Sequence, residues 1–145
     1  MRLAVIGGGG FRAPMVYQSV HALNGGLGLE EVVLHDTDAG RLARIQAVIR
    51  GMDEEAGGGI PVRTTTSLPQ AVDGAQFVFL AVRVGGLPGR VVDETVPMAE
   101  GVLGQETVGP GGICFALRTV PVALDIARTV AEVAPQAWLL NLPAW

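Results

Sequence analysis

Short apolar runs alternate with stretches of helical spacing along this chain. Leu3-Ala4-Val5-Ile6 is apolar throughout and stops at Gly7-Gly8-Gly9-Gly10. A run of that kind predicts a strand buried on both faces, as in a parallel sheet. From Arg12 to about Asn24, Met15, Val16, Val20 and Leu23 recur at helical spacing, with Pro14 in the first turn, where its missing N–H costs nothing. Asn24-Gly25-Gly26 is the expected stop. Glu31 to His35 predicts a second strand. Asp38 is the expected cap of a second helix reaching about Ala56, with Leu42, Ile45, Val48, Ile49 and Met52 inward and Gly57-Gly58-Gly59 at its end. Pro61 to Thr66 is β-branched and predicts a third strand. A short connection around Ala71 leads to Gln76–Val82, the strongest strand signal.

The periodicity then fades. Between Arg83 and Gly112, glycines at 85, 86, 89, 101, 104, 109, 111 and 112 and prolines at 88, 97 and 110 separate polar residues. This predicts one long polar loop, and loops of that length inside compact domains are usually functional. A helix is expected from about Cys114 to Ala134 and a fifth strand over Ala137–Leu142. Strands alternating with helices make the fold class α/β, a doubly wound parallel sheet with right-handed crossovers and strand order 3-2-1-4-5. A two-half fold of this kind has a sixth strand, so the C-terminal half is expected to be absent from these 145 residues.

Composition narrows the chemistry. Net charge is −4, which speaks against a nucleic-acid partner bound through a basic surface. Every basic residue is Arg, so neither a Schiff-base lysine nor a phosphate-loop lysine exists here. The single cysteine, Cys114, excludes a disulfide within the chain and any multi-cysteine metal site. It is expected to be a buried helix-start residue. His21 is expected on a helix surface; His35 is either a packed strand-end residue or a flank of an adenine pocket. No apolar run approaches the roughly 20 residues of a membrane span, and the N-terminus is too short in its apolar part for a secretory signal. A cytoplasmic protein with no membrane partner is expected.

Gly7-x-Gly9 follows the first strand and opens the first helix. The first glycine permits a tight turn, the second lets backbone approach a pyrophosphate, and the helix N-terminus offers free N–H groups to the phosphates. The third fingerprint position is Arg12 rather than glycine, so the match is partial. Asp36, at the end of the second strand, is placed to accept hydrogen bonds from ribose hydroxyls and to repel a 2′-phosphate, which favours NAD over NADP. Together these features point to a Rossmann-like dinucleotide site. Internal bracing by the glycines and capping by Asp36 or Asp38 is the structural alternative.

The polar segment carries Arg83-Val84-Gly85-Gly86, Arg90, Asp93-Glu94, Gly104-Gln105-Glu106-Thr107 and Gly109-Pro110-Gly111-Gly112. Arginine forks bind phosphate well, and glycine pairs let backbone fold round a ligand. Taken with Ile6-Gly7-Gly8-Gly9, Asp36-Thr37-Asp38, Arg41, Ala116-Leu117-Arg118-Thr119, Pro121, Ala137-Trp138 and Asn141, these blocks resemble the N-terminal half of the NAD- and metal-dependent family 4 glycoside hydrolases, above all the 6-phospho-β-glucosidases. The resemblance covers essentially the whole chain.

The resemblance implies hydrolysis by C3 oxidation, elimination, water addition and reduction, an exception to two-carboxylate chemistry. It implies NAD as cofactor and Mn2+ or another divalent metal in the full-length enzyme. Gly7, Gly8, Gly9, Gly10, Phe11, Asp36 and Arg41 fall at the cofactor site. Arg83, Arg90, Glu106 and Asn141 fall at the site of a 6-phospho-sugar, with Arg90 on its phosphate. A structural ion pair with Asp93 or Glu94 is the equal alternative for Arg83, and loop bracing is the expected role of Gln105. The family's usual Ser or Thr after the third glycine is Gly10 here, and its Asn-Pro turn reads Asn141-Leu142-Pro143. The family's metal-binding Cys and His and its C2 base lie beyond the matched part, so no catalytic or metal residue is expected within this chain, which alone is expected to be inactive. A homo-oligomer using the 137–145 segment is expected. Two other readings stay open: a stand-alone NAD or sugar-phosphate binding module without catalysis, and a 2-hydroxy-acid dehydrogenase, against which the Gly85-Gly86 and Gln105-Glu106 blocks speak.

Overall fold

The computed structural model describes residues 1–105 and 108–142. Strands β1 (Arg2–Ile6), β2 (Glu31–His35), β3 (Val62–Thr65), β4 (Phe77–Leu80) and β5 (Trp138–Asn141) form one sheet in the order β3-β2-β1-β4-β5. Every pairing is parallel, as the alternation of strands and helices predicts. The order reverses between β1 and β4, which makes the gap at their C-terminal ends the topological switch point.

The chain divides into two compact units, Met1–Val82 with Arg128–Trp145, and Arg83–Ala127. In the first, one sheet face places Leu3, Val5, Val32 and Leu34 against Ala13 and Tyr17 of helix α1 (Arg12–Leu27) and Leu42 and Ile49 of helix α2 (Ala39–Ala56). The opposite face buries Ala4, Ile6, Val33, Val78 and Leu80, with the short helix α3 (Leu68–Val72) packed on β1, β2 and β3. Alternation along each strand sorts these residues onto the two faces. Burying one such aliphatic side chain contributes roughly 1.5–3 kcal/mol.

Asp38 caps α2 as expected, its side chain accepting the Arg41 N–H at 3.0 Å, and Gly57 ends the helix with φ of 75°. Helix α1 departs from expectation. It runs through Gly25-Gly26 to Leu27, and Gly28, at φ 64°, takes the left-handed position. The Asn24 side chain holds the exit by accepting from the Leu29 N–H at 2.6 Å and donating to the Leu29 carbonyl at 3.1 Å.

The second unit corrects the long-loop expectation. Residues Gly86–Ala99 form helix α4. Helix α5 covers Gly109–Val133, starting five positions before the expected Cys114, and its last residues belong to the first unit. Gly85 and Gly86, at φ 85° and 58°, turn the chain into α4, so glycines that read as loop are the entry to a helix. Cys114 is exposed rather than buried, because it stands on a solvent-facing side of α5 beside Ile113, which is also exposed.

Candidate functional site

The glycine turn sits at the C-terminal edge of β1. Gly7 and Gly8 both donate to the His35 carbonyl, at 2.9 and 2.7 Å, and Gly10 donates to the Gly7 carbonyl at 3.0 Å. Gly7 has φ of 93°, and a Cβ there would stand 2.5 Å from the Ala81 carbonyl oxygen after β4. The turn is therefore closed against both sides of the switch point. A Cβ on Gly8 would meet Leu34 Cβ at 2.7 Å. One on Gly9 would meet Asp36 Oδ2 and Arg41 Cβ, each at 2.7 Å.

Asp36 holds this geometry together. Its Oδ2 accepts the Gly9 N–H at 3.1 Å and its Oδ1 the Asp38 N–H at 3.1 Å. Each carboxylate oxygen has about two acceptor positions, and Asp36 is half-buried, so capacity remains for ribose hydroxyls. Helix α1 begins just after the turn with no side-chain cap and no acidic residue in its first turn. Uncapped helix N–H groups and the positive dipole end suit an anion. Phe11 is 73% exposed with the Arg12 guanidinium 5.2 Å from its ring centre. Arg41 is exposed, its Nε 3.5 Å from Asp38 Oδ2. The turn thus fits a dinucleotide: its backbone is preset, its helix end is uncapped by side chains, and one carboxylate stands beside it.

His35 is 8% exposed. Burial lowers its pKa from the usual 6.5, against the opposing charge of Asp36 and a hydrogen bond with Thr66 backbone. It is a packed strand-end residue whose carbonyl anchors the turn. His21 is half-buried and stacks on Tyr17 at 5.9 Å. Asn141 ends β5 in register with Leu80, itself in register with Ile6. Asn141 therefore stands at the same sheet edge as the glycine turn.

In the second unit, Arg90 Nε lies 2.6 Å from Glu94 Oε1. Asp93, only 2% exposed, receives a two-pronged bond from Arg118, Nη1 to Oδ1 at 2.8 Å and Nη2 to Oδ2 at 2.5 Å. That bond holds the Asp93 carboxyl below its usual pKa against the opposing effect of burial, with the charges of Arg118 and Arg83 helping. Arg83 acts on Asp93 by charge, while the direct partner is Arg118. Sequence reasoning did not single out Arg118 as a site residue. The available signal was a lone cation among Phe115, Leu117, Val120 and Val122. Glu106 lies outside the described residues. Among the described residues, no three His, Cys, Asp or Glu side chains converge as metal ligands, so this set does not fit a metal ion.

The glycines of this unit serve close packing. A Cβ on Gly104 would strike the Glu94 carbonyl, and one on Gly111 the carbonyls of Gln105 and Asp93. The backbone at Gly104 and at Gly111 thus lies against that of α4.

Comparison with known proteins places these features in context. The description "Family 4 glycosyl hydrolase" matches residues 2–144. The 6-phospho-beta-glucosidase of Escherichia coli (strain K12) is 36% identical over 143 residues, covering 97% of this chain and 32% of that protein. The 6-phospho-beta glucosidase from Thermotoga maritima, solved with NAD and glucose-6-phosphate, superposes with a TM-score of 0.92 at 30% identity over 99% of this chain and 34% of that one. A 6-phospho-alpha-glucosidase from gut microorganisms in complex with NAD and Mn2+ gives a TM-score of 0.91 at 30% identity over 98% and 32%. The chain spans about a third of the length of these relatives.

Proposed function

The chain belongs to the family 4 glycosyl hydrolases, and on that premise we propose that it is the NAD-binding part of a 6-phospho-glucosidase, of the 6-phospho-β-glucosidase type. In this reading residues 1–145 are a Rossmann-like cofactor domain, and the metal ligands and C2 base of the reaction come from residues other than these. Bound at this turn, NAD would supply hydride-transfer chemistry: transient oxidation at C3 of the sugar, which would acidify the proton at C2. Gly7, Gly8, Gly9, Gly10 and Phe11 present backbone to the pyrophosphate, Asp36 accepts from the adenosine ribose, and Arg41 stands beside it. Arg83 and Arg90 hold the 6-phosphate, and Glu106 and Asn141 line the sugar. A cytoplasmic setting belongs to the same proposal; among the described residues no helix is long and apolar enough to cross a membrane.

The observation that carries this reading is the Asp36 carboxylate fixed to the Gly9 N–H at the end of β2, beside an uncapped helix start. Calorimetry with NAD+ and NADP+ tests it. NAD+ should bind more tightly, and Asp36→Ala should weaken NAD+ by about 1.5–3 kcal/mol, the worth of a charge-assisted hydrogen bond, and so narrow the gap. Tighter NADP+ binding by the unmodified chain would overturn the assignment.

A further inference from the structure

The Asp93–Arg118 pair is a buried carboxylate held in a two-pronged bond by one guanidinium. Such pairs rarely add net stability over apolar packing, so their geometry invites another explanation. The guanidinium lies across the first turn of α4. Its Nε is 3.0 Å from where a Cβ on Gly85 would be, and its Nη2 3.1 Å from one on Gly89. Gly85 and Gly89, one helical turn apart, leave the space it fills. Nε is itself buried with no acceptor among the described residues, so packing against the turn fixes the guanidinium as much as bonding does. Arg83 and Arg90 flank this turn in sequence, and the charge of Arg83 also reaches Asp93.

We infer that Arg118 is a positioning residue for the anion held by Arg83 and Arg90: it satisfies Asp93, so that this carboxylate does not capture Arg83, and it fixes the Gly85–Gly89 backbone that joins the two arginines. The ligand class is a phosphate monoester on a sugar. The inference rests on the phosphate role of Arg83 and Arg90 proposed above. It gives Asp93 a definite sign: with Arg118 in place the carboxylate is neutralised, and without Arg118 it competes with the ligand.

The test is calorimetric titration of the 145-residue chain with glucose 6-phosphate in the presence of NAD+. Arg118→Gln should weaken binding roughly tenfold, as loss of a charged hydrogen-bonding partner implies. The double variant Asp93→Asn/Arg118→Gln should recover much of that loss, because the competing carboxylate is gone. A merely structural pair predicts that the double variant binds no better than the single one. Gly89→Ala serves as the variant that keeps the fold: alanine is the better helix residue, so its melting temperature should hold or rise while affinity falls about threefold as the guanidinium is displaced. Arg118→Gln binding within twofold of the parent, a double variant no better than the single, or unchanged affinity in Gly89→Ala overturns the inference. If these variants bind normally while Arg90→Ala does not, the phosphate reading stands without it. Normal binding by Arg90→Ala, or none by the unmodified chain, overturns both.

Discussion

Replacing Gly9 by alanine separates two explanations of the glycine turn. If Gly9 is bare only to let a pyrophosphate approach, the apo chain should tolerate a methyl group there. The structure says otherwise. The new Cβ would stand 2.7 Å from Arg41 Cβ and 2.7 Å from Asp36 Oδ2, about an ångström inside normal contact. Arg41 Cβ is anchored to the first turn of α2 and cannot swing aside as a side-chain tip can. The strand–helix turn must therefore move, which strains the 3.1 Å bond from the Gly9 N–H to Asp36. Overpacking of this kind costs typically 1–3 kcal/mol. At roughly 2–4 °C per kcal/mol for a chain near this size, the melting temperature should fall by roughly 2–12 °C without any ligand. Gly10→Ala is the matched control. Among the described residues a Cβ there meets the Gly7 carbonyl, at 3.2 Å, a shallower overlap than at Gly9, and its effect should be clearly smaller than that of Gly9→Ala. Thermal melts followed by circular dichroism read both variants. A Gly9→Ala protein that melts with the parent would refute the packing argument and return Gly9 to a purely ligand-facing role.

Tyr17, the chain's one tyrosine, donates to Asp53 at 2.5 Å and accepts from the Ile60 N–H at 2.8 Å. Burial first, then the Asp53 bond, push its pKa up to about 12, so absorbance titration should show no phenolate near pH 10 in the folded chain, and its appearance there would contradict the geometry. His35 has a folded pKa below the unfolded value of 6.5; the unfolded chain then binds more protons, so its contribution to stability is full above about 6.5 and is lost as pH falls. Urea midpoints should drop on acidification through that range and flatten in His35→Gln; a midpoint that rises toward acid would reverse the sign. Trp138 is 70% and Leu140 46% exposed on β5, an edge strand among those described, and open apolar edges invite pairing. Light scattering at micromolar concentration should report an oligomer that Trp138→Ser disrupts; a monomer indifferent to that change would end the idea.

The sheet was legible because its signals are local. Leu3–Ile6, Glu31–His35 and Phe77–Leu80 are continuous apolar runs or nearly so, and right-handed crossovers leave few ways to order them. The Asp38 cap was legible for the same reason, since cap and acceptor lie three residues apart. Helix α4 was not. Its entry glycines resemble a loop to any local reading, and what makes Gly89 suit a helix is a guanidinium 29 positions away. Arg118 was overlooked in the same way: its partner Asp93 is 25 residues distant, and nothing near it in sequence announces a buried carboxylate. The end of α1 was misplaced because two glycines in a row outweigh, on paper, the single Asn24 side chain that carries the helix to Gly28.

The glycine-rich blocks that make the family recognisable therefore do several jobs. Gly7 is required by its positive φ and by the Ala81 carbonyl, Gly8 by Leu34, and Gly9 by Asp36 and Arg41. Gly85 is required by its positive φ, Gly89 leaves room for the Arg118 guanidinium, and Gly104 and Gly111 are required by the carbonyls of Glu94, Gln105 and Asp93. Each of these positions has a protein atom where a side chain would go. Gly10 is the exception within the first turn, since among the described residues its near neighbour is a single carbonyl at 3.2 Å. It is also the position at which the chain departs from the hydroxyl residue expected by resemblance. The departure thus falls where packing leaves the choice open, and on the cofactor reading proposed above it would remove a side-chain donor near the phosphates without loosening the turn. Cofactor affinity can then vary at Gly10, while Gly7, Gly8 and Gly9 are fixed by the fold before any ligand arrives.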